Sequence, residues 1–159
     1  MTISIGDQIP AVDLMEMTES GPAKVSTSDI FSGKKVAMFA VPGAYTPTCS
    51  AKHLPGFVEN LDALKAKGVD EVICLSVNDP FVMAAWGKAQ DASGVRMMAD
   101  PDAALTKAMN VEFDASGAGL GVRSRRYSML VEDGKVTQLN LEETGGFEVS
   151  DAQTLLGQL

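Results

Sequence analysis

The chain has 159 residues, 45% hydrophobic and 21% charged, which fits a single globular domain, residues 1–159, with a full core. Its formal net charge of −8 opposes a phosphate backbone or an anionic bilayer, so nucleic-acid and membrane-surface binding are excluded as primary roles. MTISIGDQIP is no export signal, no stretch approaches the roughly 18 apolar residues of a membrane helix, and two cysteines make no disulfide scaffold, so a reducing, cytoplasmic setting is expected.

In chain order, the first clear element is the apolar run from Lys35 to Val41, which predicts a strand buried on both faces. Gly43 and Pro47 break it. From Ser50 a helix follows, with Leu54, Phe57, Val58, Leu61 and Leu64 at helical spacing and Gly68 as its stop. Pro55 is expected to kink that helix or end its first turn.

A second apolar run, Val72 to Val77, predicts another central strand. Asp79 and Pro80 then start a helix whose inner face is expected to carry Phe81, Val82, Ala85 and Trp86. A short strand from Val95 to Ala99 and a helix around Ala103 to Met109 come next. Two strands flanking Asp133-Gly134 form a hairpin. A last helix opens with a capping box of Ser150 and Gln153. Strands that alternate with helices and then pair as a hairpin describe an α/β sandwich. Its sheet is mixed, parallel at the centre with the C-terminal hairpin antiparallel at one side, and helices cover both faces.

Between the first central strand and its helix lies VPGAYTPTCS, which holds Cys49. That is the carboxyl end of a strand in an α/β sheet, where ligand crevices form. The free amides and dipole of a helix start favour an anion, and a thiolate is one, so the place suits a nucleophilic, accessible sulfur. The plain alternative is a small buried core residue. The neighbours Thr46, Thr48 and Ser50, together with the turn, weigh toward reactivity. A dithiol motif would need a cysteine where Thr46 stands, so exchange within the motif is excluded. A lone thiolate beside a threonine hydroxyl suits oxidation by peroxide to a sulfenic acid.

The segment PGAYTPTCSAKHLPGF resembles the active-site signature of the type II, or peroxiredoxin-5-like, peroxiredoxins. CLSVNDPFVM and GLGVRSRRYSM extend the resemblance in order along most of the chain. It implies a thioredoxin-like fold and a thiol-dependent peroxidase acting on hydrogen peroxide and organic hydroperoxides. It also implies that Cys49 is the peroxidatic cysteine, Thr46 the hydroxyl that holds the peroxide, and Pro42 the shield of the thiolate from water. Arg126 becomes the arginine that pairs with the sulfur and the peroxide oxygens. Sequence alone would not choose it over Arg123 or Arg125. No cofactor or metal is implied. Glutaredoxin with glutathione, or thioredoxin, is the expected reductant, and a homodimer paired around Phe81 and the Tyr45 loop is the expected assembly. A peroxide-sensing switch with slow turnover is the alternative.

Three further residues or segments need weighing. Cys74, inside an apolar run, reads as a core residue, although some members of the resembled group carry a proposed resolving thiol at the matching place. His53 follows Cys49 by one helical turn, which admits a Cys–His hydrolase. With no third orienting group evident, packing or hydrogen bonding near the active-site helix is the expected role. Gly117 to Val122 approaches a dinucleotide fingerprint but misses its third glycine, and is read as a loop.

Overall fold

The computed structural model describes residues 1–159. Two elements precede the first central strand: a hairpin of β1 (Asp13–Thr18) and β2 (Gly21–Ser26), and the short helix α1 (Thr27–Phe31). β3 (Lys35–Ala40) then leads through the Cys49 loop to a π-helical turn at Cys49–His53 and the helices α2 (Leu54–Glu59) and α3 (Leu61–Ala66). β4 (Glu71–Ser76), α4 (Pro80–Ala89), β5 (Arg96–Ala99) and α5 (Ala104–Ala108) follow. After a small pair, β6 (Glu112–Asp114) and β7 (Val122–Ser124), come β8 (Tyr127–Glu132), β9 (Lys135–Leu141) and α6 (Ala152–Leu156).

The main sheet has the order β2-β1-β5-β4-β3-β8-β9. β3, β4 and β5 are mutually parallel, whereas β8 and β9 on one side and β1 and β2 on the other are antiparallel. The sheet is therefore antiparallel at both flanks, not at one.

The continuous apolar runs are explained by the two layers they separate. Ala37, Phe39, Val41, Val72 and Cys74 pack against Leu54, Phe57, Leu64, Met83, Trp86 and Leu155 of α2, α3, α4 and α6. The alternate residues Val36, Met38, Ala40, Ile73 and Leu75 pack against Ile30 and Phe31 of α1 and against Leu105 and Met109 near α5. A strand covered on both faces has no polar side, which is why it lacks alternation.

Two local readings are corrected, and the break expected at Pro55 is found. The inner face of α4 is Pro80, Met83, Trp86 and Gly87, whereas Phe81 and Ala85 face outward. The Asp79 carboxylate does cap this helix, accepting from the Val82 amide at 2.8 Å, and the cap fixes its rotation. At α6 the cap is Asp151, which accepts from the Thr154 amide at 3.1 Å, because the Ser150 hydroxyl is spent on Glu142 at 2.7 Å. The helix after Cys49 is not continuous. Pro55 has no amide to give to Ala51, so the Leu54 amide reaches back to the Cys49 carbonyl and widens the first turn. A second break at Asn60 separates α2 from α3. The Asp133-Gly134 turn has positive φ at both residues, 48° and 81°, as a two-residue hairpin of the primed type requires.

Candidate active site

β3 delivers the chain at Ala40 to the edge of the parallel core, and the loop 41–48 turns it back into the layer above. The loop is pinned from several sides. The Asn78 side-chain oxygen accepts from the Ala44 amide at 3.0 Å and from the Ser76 hydroxyl at 2.6 Å. Arg123 donates to the Pro42 carbonyl at 3.2 Å. Its guanidinium lies so close that a Cβ on Gly43 would sit 3.0 Å from it and 3.0 Å from the Thr46 methyl. Tyr45 adopts φ 66°, a left-handed conformation that the surrounding bonds must hold.

The result places Cys49, Thr46 and Arg126 in direct contact. The Thr46 hydroxyl lies 2.8 Å from the Cys49 Sγ and donates to the Gly43 carbonyl at 2.7 Å. A carbonyl only accepts, so it takes the single hydroxyl proton. The Thr46 oxygen is then an acceptor toward the sulfur, for the S–H of a thiol or the O–H of a peroxide. Arg126 donates through one terminal nitrogen to the Cys49 Sγ at 3.1 Å. Its position follows from register: Tyr127 pairs with Ala40, so Arg126 falls just past the end of β3, beside the loop. Arg125 points away and donates twice to the Glu142 carbonyl, at 3.2 and 2.6 Å.

The other terminal nitrogen of Arg126 donates to His53 Nδ1 at 3.0 Å. His53 Nε2 lies 2.9 Å from the Ser150 carbonyl. A guanidinium can only donate and a carbonyl can only accept, so His53 is the neutral tautomer with its proton on Nε2. Phe39, Phe57 and Phe147 surround its ring, with centroids at 4.9, 5.7 and 5.1 Å. Burial, reinforced by the charge of Arg126, pushes the His53 pKa from 6.5 down to about 3. His53 therefore orients Arg126 and has no bond to the sulfur, so the hydrolase pairing is not formed.

Behind Ser150 lies Glu142, which sequence reading missed. One of its oxygens accepts from the amides of Glu148, Val149 and Ser150, each at 2.8 Å, and from the Ser150 hydroxyl. Burial raises its pKa, but these bonds outweigh that and hold the carboxyl below its ordinary range. The chain of contacts thus runs from Glu142 through Ser150, His53 and Arg126 to Cys49.

Acid is expected to loosen this chain. Unfolded histidine takes a proton near 6.5 and folded His53 only near 3, so the unfolded state binds more protons between those values. The stability held by neutral His53 is full above about pH 6.5 and is lost as pH falls toward 3. The loss is on the order of 5 kcal/mol at most, at about 1.4 kcal/mol per unit. Depression of Glu142 acts in the same direction, since its carboxylate must also be protonated. Urea midpoints measured from pH 7.5 to 4 should fall, and His53→Asn should flatten the slope; an equal slope in the variant would refute the assignment.

Cys49 itself is fully buried, 0% exposed, which corrects the accessible thiol expected from the turn residues. It packs in the same buried layer as Phe39 and Phe57. Thr46 and Arg126, both in contact with the sulfur, also line a cavity of about 200 Å³ together with Pro42, Phe113 and Arg125. Next to Cys49, the Ser50 hydroxyl accepts from the buried Trp86 indole at 3.0 Å. Cys74 is also 0% exposed and faces the same layer. Both cysteines are free thiols. Burial, with the charge of Cys49 second, raises the Cys74 pKa well above its ordinary value, so it keeps its proton.

A parallel-centred sheet between two helical layers, with a thiol, a hydroxyl and a guanidinium converging at one strand end, is the architecture of a thioredoxin fold. The Redoxin family profile matches residues 4–156. Peroxiredoxin-2B of Arabidopsis thaliana is 47% identical over 159 residues, covering 99% of this chain and 98% of its own. The reduced Prx3 of Vibrio vulnificus in complex with hydrogen peroxide superposes with a TM-score of 0.96 at 49% identity, covering 99% of both chains. Peroxiredoxin 5 of Alvinella pompejana superposes at 0.85 with 36% identity, covering 97% of this chain and 96% of its own. The chain belongs to the Redoxin family, within its peroxiredoxins. It is a thiol-dependent peroxidase, which the likenesses favour over a slow-turnover switch. Its substrates are peroxides and its electrons come from a thiol reductant. No helix is long and apolar enough to cross a membrane.

Proposed function

We propose that Cys49 is the peroxidatic nucleophile and that Thr46, Arg126 and Pro42 serve it, reducing hydrogen peroxide and small organic hydroperoxides. The observation that carries this reading is the convergence on one sulfur of Thr46 at 2.8 Å and Arg126 at 3.1 Å. A peroxide entering the cavity meets Thr46 as acceptor for its O–H and Arg126 as donor to its oxygens. The sulfur attacks the nearer oxygen, the O–O bond breaks, and the guanidinium steadies the charge on the departing oxygen. Cys49 becomes a sulfenic acid and the other oxygen leaves as water or alcohol. Pro42, on the cavity wall, offers no amide proton and keeps bulk water from the sulfur.

Reduction is proposed to come from outside the chain, by glutaredoxin with glutathione or by thioredoxin. Cys74 sits on a central strand, protonated and sealed, and serves packing. Both free thiols suit a reducing cytoplasm. The test is intact mass measurement after one equivalent of hydrogen peroxide. A gain of one oxygen on Cys49 is expected. A loss of two hydrogens would instead show a Cys49–Cys74 disulfide and overturn the outside resolver, and an unchanged mass would overturn the peroxidatic role.

A homodimer is proposed through the face that carries Tyr45, 55% exposed, and Phe81, 62% exposed. Sedimentation at micromolar concentration should give a dimer, and Phe81→Asp should give a monomer. A wild-type monomer would refute the assembly.

A further inference from the structure

The cavity lined by Thr46 and Arg126, the two side chains that touch the Cys49 sulfur, is larger than a peroxide needs. Its volume is about 200 Å³, whereas hydrogen peroxide has only two heavy atoms and one water occupies about 30 Å³ of liquid. The remainder is bounded by Arg125, Thr48, Thr144, Gly145 and Gly146, none of which hydrogen-bonds to the sulfur. Its walls hold two guanidiniums and no carboxylate. The chain carries 21 acidic residues against 13 basic ones, yet its salt bridges join only Lys34, Arg96, Glu16 and Glu71, none of which lines this cavity. Arg126 is engaged with Cys49 and His53. Arg125 is anchored through Nε and one terminal nitrogen to the Glu142 carbonyl, and its remaining terminal nitrogen has no protein acceptor. A neutral carbonyl fixes the fork without cancelling its charge. In a strongly acidic protein, this leaves a local site for an anion.

We propose that Arg125, with the hydroxyls of Thr48 and Thr144, binds the carboxylate of a small thiol that regenerates Cys49. The thiol is thereby held with its sulfur toward the sulfenic acid. This rests on Cys49 being the oxidised sulfur. The step is Cys49–S–OH + R–SH giving Cys49–S–S–R + water. The S–S bond forms, the S–O bond breaks, and the thiol proton leaves with the hydroxide. A second R–SH then attacks the mixed disulfide, releasing R–S–S–R and reduced Cys49. The free terminal nitrogen of the fixed Arg125 guanidinium can donate a charge-assisted hydrogen bond to a carboxylate, whereas an uncharged or cationic thiol gains nothing from it.

The experiment follows the reduction of peroxide-oxidised full-length protein by 3-mercaptopropionate, 2-mercaptoethanol and cysteamine. Each rate is divided by that thiol's rate with a small-molecule disulfide, to remove intrinsic reactivity. The anionic thiol should be favoured over the neutral one by about tenfold, the scale of one charge-assisted hydrogen bond. The preference should shrink with added salt. Arg125→Gln should abolish it and Arg125→Lys should retain part of it. Equal normalised rates in the wild type, or an unchanged preference in Arg125→Gln, would overturn the subsite. So would a preference confined to the oxidation step, seen with a carboxylate-bearing alkyl hydroperoxide against tert-butyl hydroperoxide, since the anion would then belong to the peroxide. Failure of hydrogen peroxide to add an oxygen to Cys49 would overturn the peroxidatic assignment and the subsite with it.

Discussion

Cys49→Ser is expected to remove peroxidase activity, lowering turnover by at least about 10⁴-fold, the scale seen when an activated nucleophile is deleted. The serine hydroxyl keeps its proton at neutral pH and oxygen does not attack peroxide oxygen. The substitution is nearly isosteric, so the fold should survive: the serine would still lie beside Thr46 and Arg126. Peroxide consumption with a glutaredoxin and glutathione system, measured alongside the thermal midpoint, gives the answer. A folded variant that retains a tenth of the activity would move the chemistry elsewhere in the molecule.

The second large effect is expected at Arg126. Arg126→Gln should slow oxidation of Cys49 by hydrogen peroxide about 10²–10³-fold, as for loss of one preorganised donor to a developing negative charge. Arg126→Lys should recover only a small part. One ammonium cannot span both His53 Nδ1 at 3.0 Å and the sulfur at 3.1 Å, which the planar fork reaches together. Stopped-flow oxidation at pH 7 distinguishes the variants. A loss of less than about threefold in the glutamine variant would show that the guanidinium is not needed in the transition state.

How much of this was legible in the sequence depended on where each element lies. β3 and β4 are buried on both faces, so their apolar runs were plain. β1 and β2 are not: of β1 only Leu14 is buried, and β2 carries Pro22 at the edge of the sheet with every residue partly exposed. An edge hairpin with no apolar stripe leaves little for periodicity to find. β6 and β7 are three residues each, too short for any period.

The reactive cysteine was legible because its loop chemistry is local: two prolines, a glycine and three hydroxyl residues surround it. Its burial was not, because it depends on tertiary packing against Phe39, Phe57 and other residues distant in the chain. The choice among Arg123, Arg125 and Arg126 was also beyond local reading. It is made by the register of β8 against β3 and by the carbonyls that occupy the other two. Glu142 had no signal at all, since a glutamate before Glu143-Thr144-Gly145 reads as a polar turn until the segment folds back over its carboxylate.

The bond from the Trp86 indole to Ser50 makes the active-site turn optically visible. Trp86 is the sole tryptophan, so emission from the whole chain reports one place. A rearrangement of the active-site turn that breaks this bond would change the surroundings of the indole, and the intrinsic fluorescence of unlabelled protein would then report it in real time.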